Sequence, residues 1–101
     1  MDLKIKLRRL PLNTYDIIYI DGSHLAMHVL TDAVLCWDLL KNNGVIIFDD
    51  YKWNLDRPAQ LRPKSAIDSF LVCFGGCLEV IHRGYQVIIK KQNLWKLLAE
   101  Q

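Results

Sequence analysis

The chain has 101 residues, of which 51% are hydrophobic and 24% are charged. This length predicts one domain, residues 1–101, and the aromatic and aliphatic content excludes an intrinsically disordered chain. A formal net charge of +2 is too small to indicate a nucleic-acid surface. The longest apolar stretch, residues 70–78, is far shorter than the ~20 residues of a spanning helix, so we expect no membrane partner.

The first ten residues, MDLKIKLRRL, alternate charged and apolar side chains and lack the apolar core of a secretory signal. We therefore expect a cytoplasmic protein. The cysteines form no CxxC pair, are odd in number and lie in apolar sequence, which predicts reduced thiols in the core. They are Cys36, Cys73 and Cys77.

The first half of the chain predicts a strand, a helix and a second strand. Residues 16–20 and 45–48 are short β-branched runs, apolar on both faces, as in buried parallel strands. Between them, residues 24–41 repeat apolar side chains at helical spacing behind Ser23, a favourable N-cap. Gly44 is available for a left-handed residue at the helix end. The predicted polar face of this helix carries His28, Asp32 and Asp38.

The second half predicts a loop, a helix and a hairpin. Residues 51–62 show no periodicity and predict a loop, and Pro63 is favourable in the first turn of a helix that ends at Gly75. Two β-rich runs, residues 78–82 and 85–90, are separated by a short turn that predicts a hairpin. Since strands joined by crossover helices are parallel, we predict a three-layer α/β fold.

Acidic residues follow both predicted parallel strands. Asp21 comes directly after the first strand, and Asp49 and Asp50 come after the second, with His24 in the turn behind Asp21. Ligands of open α/β sheets bind beyond the carboxyl ends of the strands, where these carboxylates converge. Clustered hard oxygen ligands suit Mg²⁺ or Ca²⁺. The pattern therefore predicts a cation site.

The same residues also suit simpler or different roles. Asp21 fits a turn, and Asp50 fits a loop cap. His24 and His28, four residues apart, are spaced to bind a soft metal together, although no third soft ligand is near in sequence. Trp53 lies where it either lines a ligand pocket or covers the end of the sheet.

Four segments of the chain resemble one enzyme family. YDIIYIDGSH, LLKNNGVIIFDDYKW, PKSAIDSFL and GYQVIIKK, in this order over residues 15–91, resemble the C-terminal half of class I S-adenosylmethionine-dependent methyltransferases. The likeness is to the small-molecule O-methyltransferase branch with IDGSH and FDDY motifs. It implies a partial Rossmann-like fold with a four-stranded mixed sheet in the order first, second, fourth, third, the fourth strand being antiparallel to its neighbours.

The resemblance also implies chemistry. In the metal-dependent members, the acids at these positions hold Mg²⁺, which here assigns Asp21, Asp49 and Asp50 to the metal. A base shortly after the first acid takes the proton of the substrate hydroxyl, and His24 occupies that position. The resemblance thus implies S-adenosylmethionine as cofactor and a small hydroxylated molecule as methyl acceptor.

The chain also departs from the family pattern. Nothing before Asp16 supplies the glycine-rich turn and the acidic residue that hold the cofactor, so we predict a truncated domain without residues that bind S-adenosylmethionine. Asn42-Asn43 replaces the usual Pro-Gly. We expect the isolated chain to bind the cofactor weakly or not at all and to be inactive. The alternative is a non-catalytic interaction module, or a split-gene half that docks on a partner. A phospho-acceptor receiver domain also clusters acids at strand ends, but its acidic pair follows the first strand. Here a single acid follows the first strand and the second half predicts a hairpin, so this class is disfavoured.

The first strand is expected to have an open edge. An apolar edge strand is a template for pairing with another chain, so we predict a homodimer or higher assembly built around residues 16–20. In the competing arrangement, the N-terminal segment, residues 3–10, folds back over this edge. The tail, residues 94–98, is the other local segment able to cover apolar surface.

Overall fold

The computed structural model describes residues 10–92 of the chain. It contains four strands and two α-helices in the described part, and two short 3₁₀ turns, at Ala59–Leu61 and Gly75–Cys77. The order along the chain is β1 (Tyr15–Ile20), α1 (Ala26–Leu39), β2 (Leu40–Phe48), α2 (Pro63–Phe74), β3 (Leu78–Arg83) and β4 (Val87–Lys91).

The strands form one mixed sheet in the order β1-β2-β4-β3. β1 and β2 are parallel, and β4 is antiparallel to both β2 and β3. This is the predicted α/β class and the predicted strand order. The crossover through α1 places the carboxyl ends of β1 and β2 side by side, which positions the acids that follow them.

Both helices pack on one face of the sheet and on each other. The alternate residues Ile46, Phe48, Val87 and Ile89 are fully buried on this covered face. Phe70 of α2 lies at the centre, with its ring 5.4 Å from that of Phe48 and 5.9 Å from that of Trp37. The period of two along the strands and of 3.6 along the helices accounts for this core.

The other face of the sheet carries Ile17 and Tyr19, whose exposed fractions are 66% and 49%. Together with half-buried Val45, Ile47 and Ile88 they form what we call the open face. No element between residues 10 and 92 covers it, so the described part contains two of the three expected layers. The N-terminal and C-terminal segments expected to cover apolar surface, residues 3–9 and 94–98, lie outside the described residues.

Helix α1 is shorter than predicted, and its polar face differs. It begins after Leu25 rather than Ser23, because the Ser23 hydroxyl accepts a hydrogen bond from Leu25 N–H at 3.0 Å and forms a local turn. Asp32, predicted on the exposed side, is only 7% exposed. Its position three residues after Val29 and four before Cys36 places it on the buried stripe.

The residue with a left-handed backbone after α1 is not the predicted one. Asn43, with φ of 68°, takes the positive φ, and Gly44 does not. Gly44 is needed for another reason, since a Cβ there would meet the Leu40 side chain at 2.7 Å. Tyr15 of β1 pairs with Leu40 of β2, and the next pair is Ile17 with Val45. Four residues of β2, 41–44, therefore stand opposite one residue of β1 and bulge out of the sheet.

The sequence predicts three reduced cysteines in the core, and the core location is correct for Cys36. All three cysteines are free, but Cys36 is buried, Cys77 is half-buried and Cys73 is exposed in the last turn of α2. The core location is therefore wrong for Cys73. No helix among residues 10–92 is long and apolar enough to cross a membrane.

Candidate functional site at the carboxyl edge of the sheet

The parallel pairing of β1 with β2 brings the three predicted acids together. Ile20 and Phe48 are the last register partners, and Asp49 N–H donates a hydrogen bond to Ile20 O at 3.2 Å. The next residues, Asp21 and Asp49, therefore leave the sheet side by side. One carboxylate oxygen from each of Asp21, Asp49 and Asp50 lies within 4.8 Å of the others.

The donor set fits a hard divalent cation. Two oxygens on one ion are separated by at most twice the metal–oxygen distance, which is about 4.8 Å for Ca²⁺ and about 4.2 Å for Mg²⁺. The oxygens all lie within 4.8 Å of one another, so they are grouped closely enough for one divalent cation to draw them together, and this spacing does not distinguish Ca²⁺ from Mg²⁺. Asp21 is exposed and the other two acids are half-buried, so one side of the cluster is open to a ligand.

Asp49 is held by the strand next to it. Its Oδ2 accepts a hydrogen bond from the Tyr19 hydroxyl at 2.8 Å, and its Oδ1 accepts one from Asp50 N–H at 2.9 Å. The bond from Tyr19 lowers the pKa of Asp49, and the same bond raises the pKa of the Tyr19 phenol. Asp49 is therefore kept as a carboxylate, the form that binds a cation.

Asp50 has a left-handed backbone conformation in the turn after β2. Its φ of 61° is left-handed, which costs a non-glycine residue roughly 1 kcal/mol and is tolerated best by Asn and Asp. Its Oδ2 lies 2.9 Å from His24 Nε2, and its Oδ1 accepts a hydrogen bond from the Tyr85 hydroxyl at 2.9 Å. The bond to Asp50 raises the pKa of Tyr85.

The His24 ring is fixed on two sides. Besides the contact with Asp50, it stacks on Trp53 with a centroid separation of 3.7 Å and an interplanar angle of 15°. Trp53 therefore supports the ring of the candidate base. The two roles predicted for it, lining a ligand pocket and covering the end of the sheet, did not include this contact. His28 Nδ1 lies 3.1 Å from Ser23 Oγ. Among the described residues, the acid cluster is the one group arranged to hold a metal, and the two histidines do not join it.

A second polar cluster borders the first. Buried Tyr51 donates a hydrogen bond from its hydroxyl to Asp68 Oδ1 at 2.5 Å, and Lys64 Nζ lies 2.7 Å from Asp68 Oδ2. Although burial acts to raise the pKa of Asp68, the bonds from Lys64 and Tyr51 outweigh it and lower this pKa. Since Tyr51 follows Asp50 directly, this cluster ties α2 to the acid edge.

Comparison with protein families identifies the chain. A family model described as a methyltransferase domain matches residues 1–51, which include both acidic motifs and His24. The chain belongs to the methyltransferase domain family. The resemblance inferred from the motifs is thereby confirmed at the level of the family, and the assignment to one branch of it stays a prediction.

Solved structures share the fold of this methyltransferase domain. The O-methyltransferase NovP superposes with a TM-score of 0.64 at 20% identity, over 86% of this chain and 34% of that one. A structural-genomics protein from Corynebacterium glutamicum gives a TM-score of 0.67 at 16% identity, over 89% and 44%. The chain thus spans between a third and a half of the length of these proteins. No curated protein matches it.

Two clefts of the methyltransferase domain are lined in part by α1, and the first of them is also lined by one of the acids. One, of about 270 Å³, runs from Asp21 along β1 to Cys36 of α1. The other, of about 300 Å³, is apolar and lies between Leu25, Met27 and the 3₁₀ turn at Gln60 and Leu61. The loop predicted over residues 51–62 therefore contributes Gln60 and Leu61 to a cleft beside Leu25, the residue that follows His24.

Sequence reasoning missed the tyrosines that contact the acids. Neither Tyr19 nor Tyr85 belongs to the IDGSH or the FDDY motif, although both lie in the longer segments that resemble the family. The predicted strand order contained a signal for Tyr85, because an antiparallel fourth strand begins where the second strand ends. Tyr19 lies two residues before Asp21, near the end of β1, so its side chain is close to the same edge of the sheet.

Proposed function

We propose that this methyltransferase domain takes part in methyl transfer from S-adenosylmethionine to a small hydroxylated acceptor, with a divalent cation at Asp21, Asp49 and Asp50. The observation that carries the proposal is the convergence of three carboxylates from neighbouring strand ends, beside a histidine bonded to one of them. Carboxylate oxygens are the ligands that Mg²⁺ and Ca²⁺ prefer. When bound, such a cation lowers the pKa of an acceptor hydroxyl and orients it.

In this proposal His24 removes the proton of the acceptor. Imidazole is the side chain most often used as a general base near neutral pH. Asp50 at 2.9 Å from Nε2 stabilises the imidazolium that forms, and the Trp53 stack limits rotation of the ring. The apolar cleft beside Leu25 and Met27 accommodates the carbon skeleton of the acceptor.

Calorimetric titration of the 101-residue chain with Mg²⁺ and with Ca²⁺ tests the cation site. We expect Asp21→Ala/Asp49→Ala to abolish binding. Asp38→Ala/Asp56→Ala is the matched control, because it removes the same charge at two exposed positions away from the cluster. Unchanged affinity in the first variant contradicts the proposal.

The cofactor is tested separately. Titration of the isolated chain with S-adenosylmethionine is expected to give weak or no binding, since the motifs present supply the acceptor side rather than a glycine-rich cofactor turn. Micromolar binding contradicts this expectation. If the cofactor binds, the methylation rate of a hydroxylated acceptor in His24→Gln should lose the pH dependence of an essential base.

A second candidate function is association without catalysis. The open face exposes Ile17 and Tyr19, and the edge of β1 has no strand beside it among residues 10–92. An apolar edge of this kind favours pairing with another chain. Cation binding that depends on Asp21 and Asp49 favours the enzyme domain, and stable self-association without cation binding favours the interaction module.

A further inference from the structure

All four carboxylate oxygens of Asp49 and Asp50 have a hydrogen-bonding contact. Asp49 accepts from the Tyr19 hydroxyl and from Asp50 N–H. Asp50 accepts from the Tyr85 hydroxyl and contacts His24 Nε2. A carboxylate offers about four lone-pair sites, so each acid retains capacity for a cation after these bonds form.

The two tyrosines approach from different elements. Tyr19 lies on the open face of β1, and Tyr85 lies in the turn between β3 and β4, two residues before β4 begins. The Gln86 side-chain amide donates to the Tyr19 hydroxyl at 3.2 Å, which links the two sides. Tyr51 N–H donates to Tyr85 O at 2.8 Å and fixes the backbone that carries the second tyrosine.

These hydrogen bonds hold the carboxylates of Asp49 and Asp50 in a defined orientation. Asp50 takes a left-handed conformation in the turn after β2, and Asp49 directs its Oδ2 toward β1. Hydrogen bonds to ligating carboxylates are what fix their orientation in metal sites. Without the hydroxyls, Asp49 keeps only the bond from Asp50 N–H and Asp50 keeps only the contact with His24, so each carboxylate is held at one oxygen instead of two.

We propose that Tyr19 and Tyr85 are positioning residues that hold Asp49 and Asp50 in the orientation required to share one cation with Asp21. The inference rests on the proposed function, since it assigns a role toward the same cation. Neither tyrosine is a ligand in this scheme. Each acts through the acid to which it donates a hydrogen bond.

The test uses the whole 101-residue chain with Tb³⁺ as the probe, because Tb³⁺ binds to oxygen ligands and its luminescence lifetime reports the number of bound waters. The variants are Tyr19→Phe, Tyr85→Phe and the double substitution. Tyr15→Phe is the matched control, since Tyr15 lies in the same strand and its hydroxyl makes no hydrogen bond within residues 10–92. All four retain the aromatic ring, and circular dichroism checks that they fold.

We expect each single substitution at the site to weaken Tb³⁺ binding about tenfold, and the double substitution more, because loss of an outer-shell partner costs 10–100-fold in metal affinity. The bound ion should also gain about one water where a carboxylate is released. A purely structural role would change the unfolding midpoint but not this hydration number. Tyr15→Phe should match the parent chain.

Three results overturn the inference in distinguishable ways. If Tyr19→Phe and Tyr85→Phe bind Tb³⁺ as the control does, the positioning role is wrong while the cation site stands. If Asp21→Ala/Asp49→Ala binds as tightly as the parent, the cation lies elsewhere and the proposed function fails with it. If the parent chain binds no Tb³⁺ at all, both are wrong.

Discussion

The two faces of the sheet differ in how far their side chains are exposed, although the same strands supply apolar side chains to both faces. On the covered face, Ile46 and Phe48 are fully buried under the helices. On the open face, Ile17 of the adjacent strand is 66% exposed. Alternation along a strand assigns each side chain to a face, but only a neighbouring layer makes that face a core.

The difference separates stability from other uses of the surface. Packing on the covered face supplies the apolar burial that holds the fold. The edge shared by both faces carries the acids, and the open face supplies Tyr19 to them. Substitutions on the two faces should therefore differ in their effect on unfolding, on association and on pH dependence.

The largest difference is expected for the free energy of unfolding. Phe70→Ala should lower it by about 3–5 kcal/mol, because the substitution leaves a cavity in the centre of the covered face. Val72→Ala, on the same helix at 83% exposure, should change it by less than about 0.5 kcal/mol. Urea denaturation measures both. Equal effects would contradict the assignment of the core to this face.

The next largest effect concerns Lys91, a charged residue on the covered face. Its ammonium donates to Trp37 O at 2.8 Å and to Leu40 O at 2.9 Å, and lies 4.9 Å from the Trp37 ring centroid. It thereby satisfies carbonyls at the end of α1. Lys91→Met keeps the apolar stem but leaves these carbonyls without the ammonium.

We expect Lys91→Met to lower the free energy of unfolding by about 2 kcal/mol, the range for hydrogen bonds to a charged group. Lys90→Met is the matched control, because the neighbouring side chain points to the opposite face of β4 and should change stability by less than about 0.5 kcal/mol. A Lys91 variant as stable as its control would mean that water replaces the ammonium at no cost.

The open face allows a sharper test of the predicted homodimer. If a second copy pairs along β1, Ile17→Lys should weaken the dimer at least tenfold, about 1.4 kcal/mol, by placing a charge in the contact. Since Ile17 is exposed in the single chain, the fold itself should tolerate the change. Light scattering at low micromolar concentration measures the mass, and Val72→Lys on α2 is the control.

A mass that stays near 11.8 kDa for the unsubstituted chain would rule out the dimer. It would favour the competing prediction that an N-terminal segment covers the edge. A dimer that persists unchanged in Ile17→Lys would place the interface elsewhere on the surface.

The sequence was sufficient for the sheet and for the location of the acids. Two apolar runs separated by one amphipathic helix require parallel strands, and Asp21 and Asp49 come directly after those strands. Their proximity is therefore a consequence of topology alone. The hairpin likewise determined that β4 begins near the end of β2.

Features that depend on position within an element were harder to predict. Asp32 was assigned to the exposed side of α1 by its polarity, whereas its spacing from Val29 and Cys36 places it on the buried stripe. The contacts of Tyr19 and Tyr85 depend on the strand register, which the motifs do not specify. The bulge at Gly44 depends on the close approach of the Leu40 side chain.

The smallest predicted effect is a pH dependence of stability that arises from Cys36, a thiol on the covered side of the sheet. Burial, reinforced by the negative charge of Asp32, raises the pKa of the Cys36 thiol from 9.0 to about 11. Below pH 9 the folded and unfolded chains both retain this proton. Between pH 9 and pH 11 the unfolded chain releases it first, so the contribution of Cys36 to stability falls as the pH rises and is lost above pH 11.

Cys36→Ala should therefore be less stable than the parent at pH 8 and should lose part of that disadvantage, about 1 kcal/mol, by pH 10. Urea midpoints under reducing conditions measure the difference, in which the titration of other groups cancels. Val29→Ala is the control on the same buried stripe, because it creates a cavity without removing an ionisable group. Its disadvantage should stay constant over this range. If the two variants follow the same pH profile, the Cys36 thiol ionises equally in the folded and the unfolded chain, and the buried side of α1 is more accessible to water than the covered face requires.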